Sequence, residues 1–374
     1  MKKLKVLYIS MEYPPYIWGG AGIYLYLLIK TLLLNYPDQI EISVFFPKGV
    51  TELGKGLPPL EVNMFQVPLS FQFFPARYLE FLVKANLFVR RKGKEFQIIH
   101  DNYNSIFFSP APLVATVHTT QWHECQHSLF YYPSLSRIFP WLAYQFLWRF
   151  EKMCLSHADV LIVPTPYLKE TLSKIFPGKE IKVIPHGIDL TFFSPRKGRK
   201  IFDLIFAGRF VARKGIKEFL DSLYFLHTPL KVLLAGYGKG KILQKIEKLK
   251  KETPHQLFVR GIRWLDLPKF FSQTKLAVFP SHYESFGYTI LEAVSSGLPV
   301  LTTPVGIASG LRGKEIIPLP PQPEIIAEKV NFYMQNEKER EEANRRLREY
   351  FQKKFSLEKE AEETFKIYEK LSKN

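Results

Sequence analysis

The stretch Lys5-Val-Leu-Tyr-Ile-Ser10-Met-Glu-Tyr-Pro-Pro15-Tyr-Ile-Trp-Gly-Gly20-Ala-Gly22 passes from a β-rich run through a proline-bearing turn into glycines, and a helical pattern follows from Ile23 to about Leu34. Strand, glycine loop and helix, in that order, begin an open α/β domain. Ile40–Phe46, Ile98–His100, Leu113–His118 and Val160–Val163 read as further strands, with helical stretches between them. Their apolar residues are continuous rather than alternating, as a parallel sheet covered on both faces requires.

The pattern breaks over residues 187–200, where Gly187 is followed by the basic run Ser194-Pro-Arg-Lys-Gly-Arg-Lys200. We read this as a linker. A second α/β set follows, with strands Phe202–Ala207, Lys231–Ala235, Leu257–Val259, Leu276–Phe279 and Pro299–Thr302. From Pro323 the chain is helical and charged, and Phe332, Phe355, Phe365 and Tyr368 keep one face apolar. The expected architecture is two doubly wound Rossmann-like domains, residues 1–190 and 191–350, facing a central cleft. A C-terminal helix over 351–374 is expected to cross back to the first domain. In such sheets ligands sit beyond the carboxyl ends of strands.

Composition bounds the class. At ~150 residues per domain, 374 residues suit two domains, and 46% hydrophobic with 15% aromatic residues supplies two cores. Cys125 and Cys154 are too few for a disulfide framework. The N-terminal apolar run is too short for a signal peptide, and Ile23–Leu34, broken by Lys30, is too short to span a bilayer. The expectation is a cytoplasmic protein. The net charge of +17 attracts nucleotides, nucleic acid or anionic lipid without choosing among them.

The densest chemical signal is Phe279-Pro-Ser-His-Tyr-Glu284-Ser-Phe-Gly287-Tyr-Thr-Ile-Leu-Glu292-Ala-Val-Ser-Ser-Gly297-Leu-Pro299-Val. A strand ends at Pro280, and Gly287 starts a helix whose free N–H groups suit phosphate or sugar oxygens. Solvated glutamates on a capped helix are the plainer alternative. Arg209 and Lys214 follow another strand, Phe206-Ala-Gly208-Arg209-Phe-Val-Ala-Arg-Lys214-Gly215. Fixed cations there would stabilise the charge that a departing diphosphate develops. Ala115-Thr-Val-His118-Thr ends a strand at an imidazole, for which a core histidine with both nitrogens paired is the alternative. Gly236-Tyr-Gly238-Lys-Gly240 alone is a weak nucleotide signal.

Taken together these strings resemble the Glu-x7-Glu signature and companion motifs of retaining glycosyltransferases of the GT-B fold, family 4 in particular. Pro14-Pro15 through Gly19-Gly20-Ala21-Gly22 is similar to the family's N-terminal glycine loop. Ala158-Asp-Val-Leu-Ile-Val-Pro-Thr-Pro, with Ile184-Pro-His-Gly187-Ile-Asp189, is similar to its exit from the first domain. The resemblance implies transfer of a hexose from a UDP-, GDP- or ADP-sugar to a glycan or lipid-linked acceptor hydroxyl, with no cofactor. It implies catalytic roles for His118, Arg209, Lys214 and Glu284. It also implies substrate contacts at Gly19, Gly20, Gly236, Ile262, Phe286, Gly287, Tyr288 and Glu292, the last on the ribose. The chain departs from the family at Pro304-Val-Gly306-Ile-Ala-Ser-Gly310, where Gly-Gly and then Glu are usual. No Asp-x-Asp occurs, which fits a transfer that needs no metal.

Residues 77–94 hold six bases, one acid and many apolar residues. They read equally as a basic helix on an anionic membrane, with the protein peripheral at the inner face, or as a core helix with a solvated basic end. The aromatic stretch Leu129–Phe150 is expected in the core. His118, His123, Cys125 and His127 crowd one loop, but their spacing matches no common zinc site. The rivals to transfer are a sugar-nucleotide epimerase of the same fold, a nicotinamide-dependent oxidoreductase without its fingerprint, and a basic nucleic-acid-binding protein without a reader motif. Nothing in the sequence speaks to oligomeric state.

Overall fold

The computed structural model describes residues 3–49, 54–73, 75–128 and 138–373. They divide into two units, Met1–Gly187 with Phe355–Asn374, and Ile188–Lys354. These boundaries fall a few residues from 190 and 350.

The first unit holds β1 (Leu4–Ile9), β2 (Ile40–Pro47), β3 (Asn63–Val67), β4 (Ile98–Asp101), β5 (Leu113–Thr116), β6 (Val160–Val163) and β7 (Glu180–Val183). All are parallel, in the order β3-β2-β1-β4-β5-β6-β7. Its helices are α1 (Gly20–Asn35), α2 (Ala76–Lys92), α3 (Gln121–Ser128), α4 (Ile138–His157) and α5 (Pro166–Ile175). The chain reverses its direction of travel across the sheet between β1 and β4. The loops after those strands therefore diverge and leave room for a ligand.

The second unit holds β8 (Phe202–Ala207), β9 (Lys231–Ala235), β10 (Gln256–Arg260), β11 (Thr274–Phe279) and β12 (Val300–Thr302), parallel and ordered β10-β9-β8-β11-β12. Its helices are α6 (Ile216–Ser222), α7 (Lys241–Glu252), α8 (Leu267–Ser272), α9 (Tyr288–Ser295), α10 (Pro323–Gln335) and α11 (Glu337–Gln352). Here the switch lies between β8 and β11. Phe206, Phe219, Leu234 and Val278 join one core beneath it.

The final helix, α12 (Leu357–Ser372), belongs to the first unit and packs on α1. Ser356 caps it by accepting from Lys359 N. Phe365 stacks on Tyr36 with ring centroids 3.9 Å apart. Sandwiched in this way, α1 is buried almost all round, which explains its nearly unbroken apolar sequence. The α12 face is not purely apolar. Tyr368 bonds to Tyr8 at 2.6 Å and to His100, whose other nitrogen lies 2.7 Å from Thr116.

The stretch 129–150 departs from expectation. Residues 129–137 lie outside the described residues, and α4 exposes Trp141, Leu142 and Phe146 while burying Leu147, Glu151, Cys154 and Leu155. Only one face of the helix meets the sheet, so only the residues spaced three and four apart along it enter the core.

Candidate active site

In the second unit both loops at the switch point carry charge. The loop after β8 ends in Lys214 and Gly215, and the loop after β11 carries Ser281 to Gly287. Gly215 has φ +69°, and a Cβ there would stand 1.9 Å from the Pro280 carbonyl. Only glycine allows the two loops this close. The approach brings Lys214 Nζ to 2.6 Å from Glu284 Oε1, which also accepts from Ser281 Oγ at 2.9 Å. Burial alone would raise the Glu284 carboxyl, but Lys214 and Arg213 hold it below its ordinary value. Burial lowers the Lys214 ammonium, which Glu284 only partly restores. Arg209, on the same loop, is exposed, and Arg213 is half-buried with its carbonyl accepting from His282 N. The predicted cations are thus joined by Arg213, which the sequence reading left unassigned.

Gly287 caps α9 in the left-handed region and itself offers no side chain to the helix start, whose first turn holds no acid. The amides from Tyr288 onward therefore carry the positive end of the helix. Phe286 is buried, and its carbonyl accepts from Ile307 N at 2.8 Å. The divergent 304–310 loop thus supports the turn that starts α9. Glu292 lies one turn and more inside α9, buried, and its Oε1 accepts from Trp264 Nε1 at 2.7 Å. Burial pushes this carboxyl up to about 7. Trp264 in turn stacks on Phe192. Gly236 N donates to the Arg260 carbonyl, and Ile262 is half-buried in the loop after β10, beside Trp264 in sequence.

In the first unit the loop after β1 is organised by Glu12. Its Oε2 accepts from Trp18 N at 2.9 Å and Gly19 N at 2.8 Å. Gly19 caps α1 without a side-chain bond, and Gly20 is exposed at the helix start. After β5, both His118 nitrogens are engaged by protein groups. Nε2 lies 2.9 Å from Asn102 Oδ1 and Nδ1 lies 3.1 Å from His186 Nε2. Burial drives this imidazole down to about 3. His118 is therefore a neutral, oriented ring and not a titrating base, which is the plainer alternative weighed for it. Glu151 anchors the same loop, accepting from Gln121 N at 2.6 Å and Asn104 Nδ2 at 2.8 Å.

Glu12, Asn102, His186 and Glu151 were left unassigned by the sequence reading; Asn102, His186 and Glu151 each act on a loop distant along the chain, whereas Glu12 acts within its own loop. As for zinc, among the described residues no three His, Cys, Asp or Glu side chains gather to hold a metal, and the His127 side chain lies outside them.

Two family models match adjoining parts of the chain. Residues 18–192 match Glycosyltransferase Family 4 and residues 188–353 match Glycosyl transferases group 1. The chain is 25% identical to the glycogen synthase of Mycobacterium tuberculosis over 342 residues, covering 81% of this chain and 78% of that one. Among solved structures it resembles the sucrose-phosphate synthase of Thermosynechococcus elongatus, with a TM-score of 0.77, 22% identity and 99% of each chain covered. It also resembles Anabaena HepE in complex with UDP and glucose, with a TM-score of 0.72, 16% identity, 98% of this chain and 100% of that one.

Proposed function

The chain belongs to the GT-B glycosyltransferases of the family 4 type, and from that premise we propose that it moves a hexose, with retention, from a nucleoside diphosphate sugar to an acceptor hydroxyl. The observation that carries this reading is the Lys214–Glu284 pair, set at the switch point beside a glycine-capped helix start, with Arg209 and Arg213 on the same loop as Lys214. A diphosphate brought there would meet three side-chain cations and the amides of Tyr288 and its neighbours. Lys214 would move its charge from Glu284 to the phosphate oxygens, and Glu284, thus released, would accept from donor-sugar hydroxyls. Phe286 and Gly287 backbone would line the sugar, and Glu292, already oriented by Trp264, the ribose.

The reaction balances without an enzyme nucleophile. The bond from the anomeric carbon to the diphosphate oxygen breaks, and the acceptor oxygen bonds to that carbon on the same face. The departing phosphate oxygen takes the acceptor's proton. The fixed cations stabilise the charge on that oxygen without reorganising, the role a metal ion plays in other transferases. Gly19, Gly20 and the backbone beside His118 would orient the acceptor and the donor hexose, and Gly236 and Ile262 the nucleotide.

The donor's base is proposed to be uracil, guanine or adenine. HepE, which shares the fold, is seen with UDP and glucose. Thermal unfolding with UDP, GDP, ADP and NAD, each at millimolar concentration, is the test. A ligand at 100 times its Kd adds about 2.7 kcal/mol. A shift with one nucleoside diphosphate, undiminished by EDTA and absent with NAD, is the expected result. No shift with any of them would sink the reading.

A further inference from the structure

One buried carboxyl group of the first unit has no part in the transfer just described. Glu360, on α12, is 2% exposed, and its Oε1 lies 3.2 Å from His186 Nδ1. We infer that Glu360 is a positioning residue, donating a hydrogen bond to His186 and through that ring fixing the orientation of His118. The inference rests on the proposed transfer only in giving His118 something to do.

The direction of each bond in this line follows from the Ala21 carbonyl at one end and from the neutral form that burial favours in both rings. The Ala21 carbonyl can only accept, so the Asn102 amide nitrogen faces it, at 3.4 Å, and Asn102 Oδ1 faces His118. That oxygen can only accept, so the His118 proton is on Nε2. A neutral His118 then accepts at Nδ1, and the donor is the Nε2–H of His186. A neutral His186 likewise accepts at Nδ1, and the atom facing it is Glu360 Oε1. Only a carboxylic acid can donate there. At the far end Gly187 N donates to the other oxygen, Oε2, at 2.8 Å.

Packing places the carboxyl where this requires it. A Cβ on Gly187 would stand 2.5 Å from Leu357 Cα and N, so only glycine lets the first turn of α12 seat against the His186–Gly187 turn. Glu360 follows less than one turn later. Tyr24 packs over both rings, with centroids 4.7 Å from His118 and 4.2 Å from His186. The other titratable groups that act on Glu360 are the Tyr8 and Tyr24 phenols, both held above their ordinary value by burial and hence uncharged. Burial also holds His186 well below and Glu360 well above their ordinary values. A neutral line of donors and acceptors agrees with each of these directions. An ion pair in this place does not.

The test is 15N-histidine NMR of the full chain, comparing wild type, Glu360→Gln and Glu360→Leu, with the two rings assigned from His118→Asn and His186→Asn. The expected result is Nε2–H tautomers for both rings, unchanged from pH 6 to 8. Glu360→Gln should keep them, because its amide donates to His186 while its carbonyl accepts from Gly187. Glu360→Leu should mix the His186 tautomers while His118 keeps its Nε2–H on Asn102, and should lower kcat tenfold or more with donor KM within threefold, the Gln variant staying within threefold throughout. An imidazolium at His186 in the wild type, or a Gln variant whose tautomers mix, would overturn the inference. Should the Leu variant fail to fold, the Gln spectrum decides alone. The predicted tautomers in a chain with no turnover of any nucleotide sugar would uphold the relay and place the failure in the proposed function.

Discussion

The two units hold their polar side chains at the carboxyl ends of their sheets in opposite states. In the first, Asn102, His118, His186 and Glu360 form a line in which each donor has its acceptor and burial favours neutrality throughout. In the second, Lys214 and Glu284 form a charged pair, with Arg213 and Arg209 on the same loop as Lys214. A neutral line that is already satisfied cannot exchange partners without loss, so it serves to hold geometry. A cation bonded to a carboxylate beside a glycine-capped helix can trade that partner for an anionic ligand. The first unit is built as a template and the second as an exchangeable counter-charge.

The largest effect should come from breaking the exchangeable pair. Lys214→Ala should cost about 10²- to 10³-fold in kcat, the range for removing one fixed stabiliser of developing charge. It should also lower Tm, since it strands a buried carboxylate. Adding Glu284→Gln removes that stranded charge. The double variant should regain most of the lost Tm and none of the lost activity, measured by thermal unfolding and by donor turnover. Recovery of both would mean that the pair is purely structural, and the contrast between the units would collapse.

A smaller effect, at Glu292, sharpens the contrast. Like Glu360 it is a buried carboxyl favouring its neutral form, but its value of about 7 places it within reach of ordinary pH. Between the ordinary carboxyl value of 4.5 and about 7, the folded chain holds a proton that the unfolded chain has lost, so stability falls as pH rises through that window. Above it the full penalty stands, on the order of 3 kcal/mol. Glu292→Gln removes the penalty and can still accept from Trp264. Its Tm should exceed that of wild type at pH 8 and match it near pH 4.5. Equal differences at both pH values would show that Glu292 does not titrate as its burial demands.

How much of this was legible in the sequence follows the same division. The loops that carry Lys214 and Glu284 were placed directly, because each follows a buried strand, β8 or β11, without a gap. Strands Val160–Val163, Phe202–Ala207 and Lys231–Ala235 were legible to the residue, being buried and apolar apart from Asp203 and Lys231 near their starts. The edge strands Asn63–Val67 and Glu180–Val183 were missed, since each has only one neighbour and too little apolar surface to announce itself. Glu360 was invisible for another reason. It sits among Glu358, Glu362 and Glu363 in a charged helix, and its partner His186 lies 174 residues away. No local pattern distinguishes a glutamate that turns inward from those that face water.

The smallest effect compares two basic helices, one from each unit. On α2, Val83 and Leu87 are exposed on the face that continues into Arg90 and Arg91, and exposed Phe71 and Phe73 precede the helix. On α7, Ile246 and Leu249 are buried and the outward face is dominated by lysines. Anionic lipid would attract both helices, but α2 offers Val83 and Leu87 to the acyl boundary where α7 exposes Leu243 alone. Among the described residues no helix is long and apolar enough to cross a membrane. Leu87→Glu should therefore lower co-sedimentation with phosphatidylserine vesicles several-fold without moving Tm. Lys248→Glu on α7 reverses one charge while touching no apolar contact, and should change sedimentation only slightly, by an amount that vanishes in high salt. Equal losses from the two variants would mean that the charge of the whole chain, and not the α2 face, brings it to lipid.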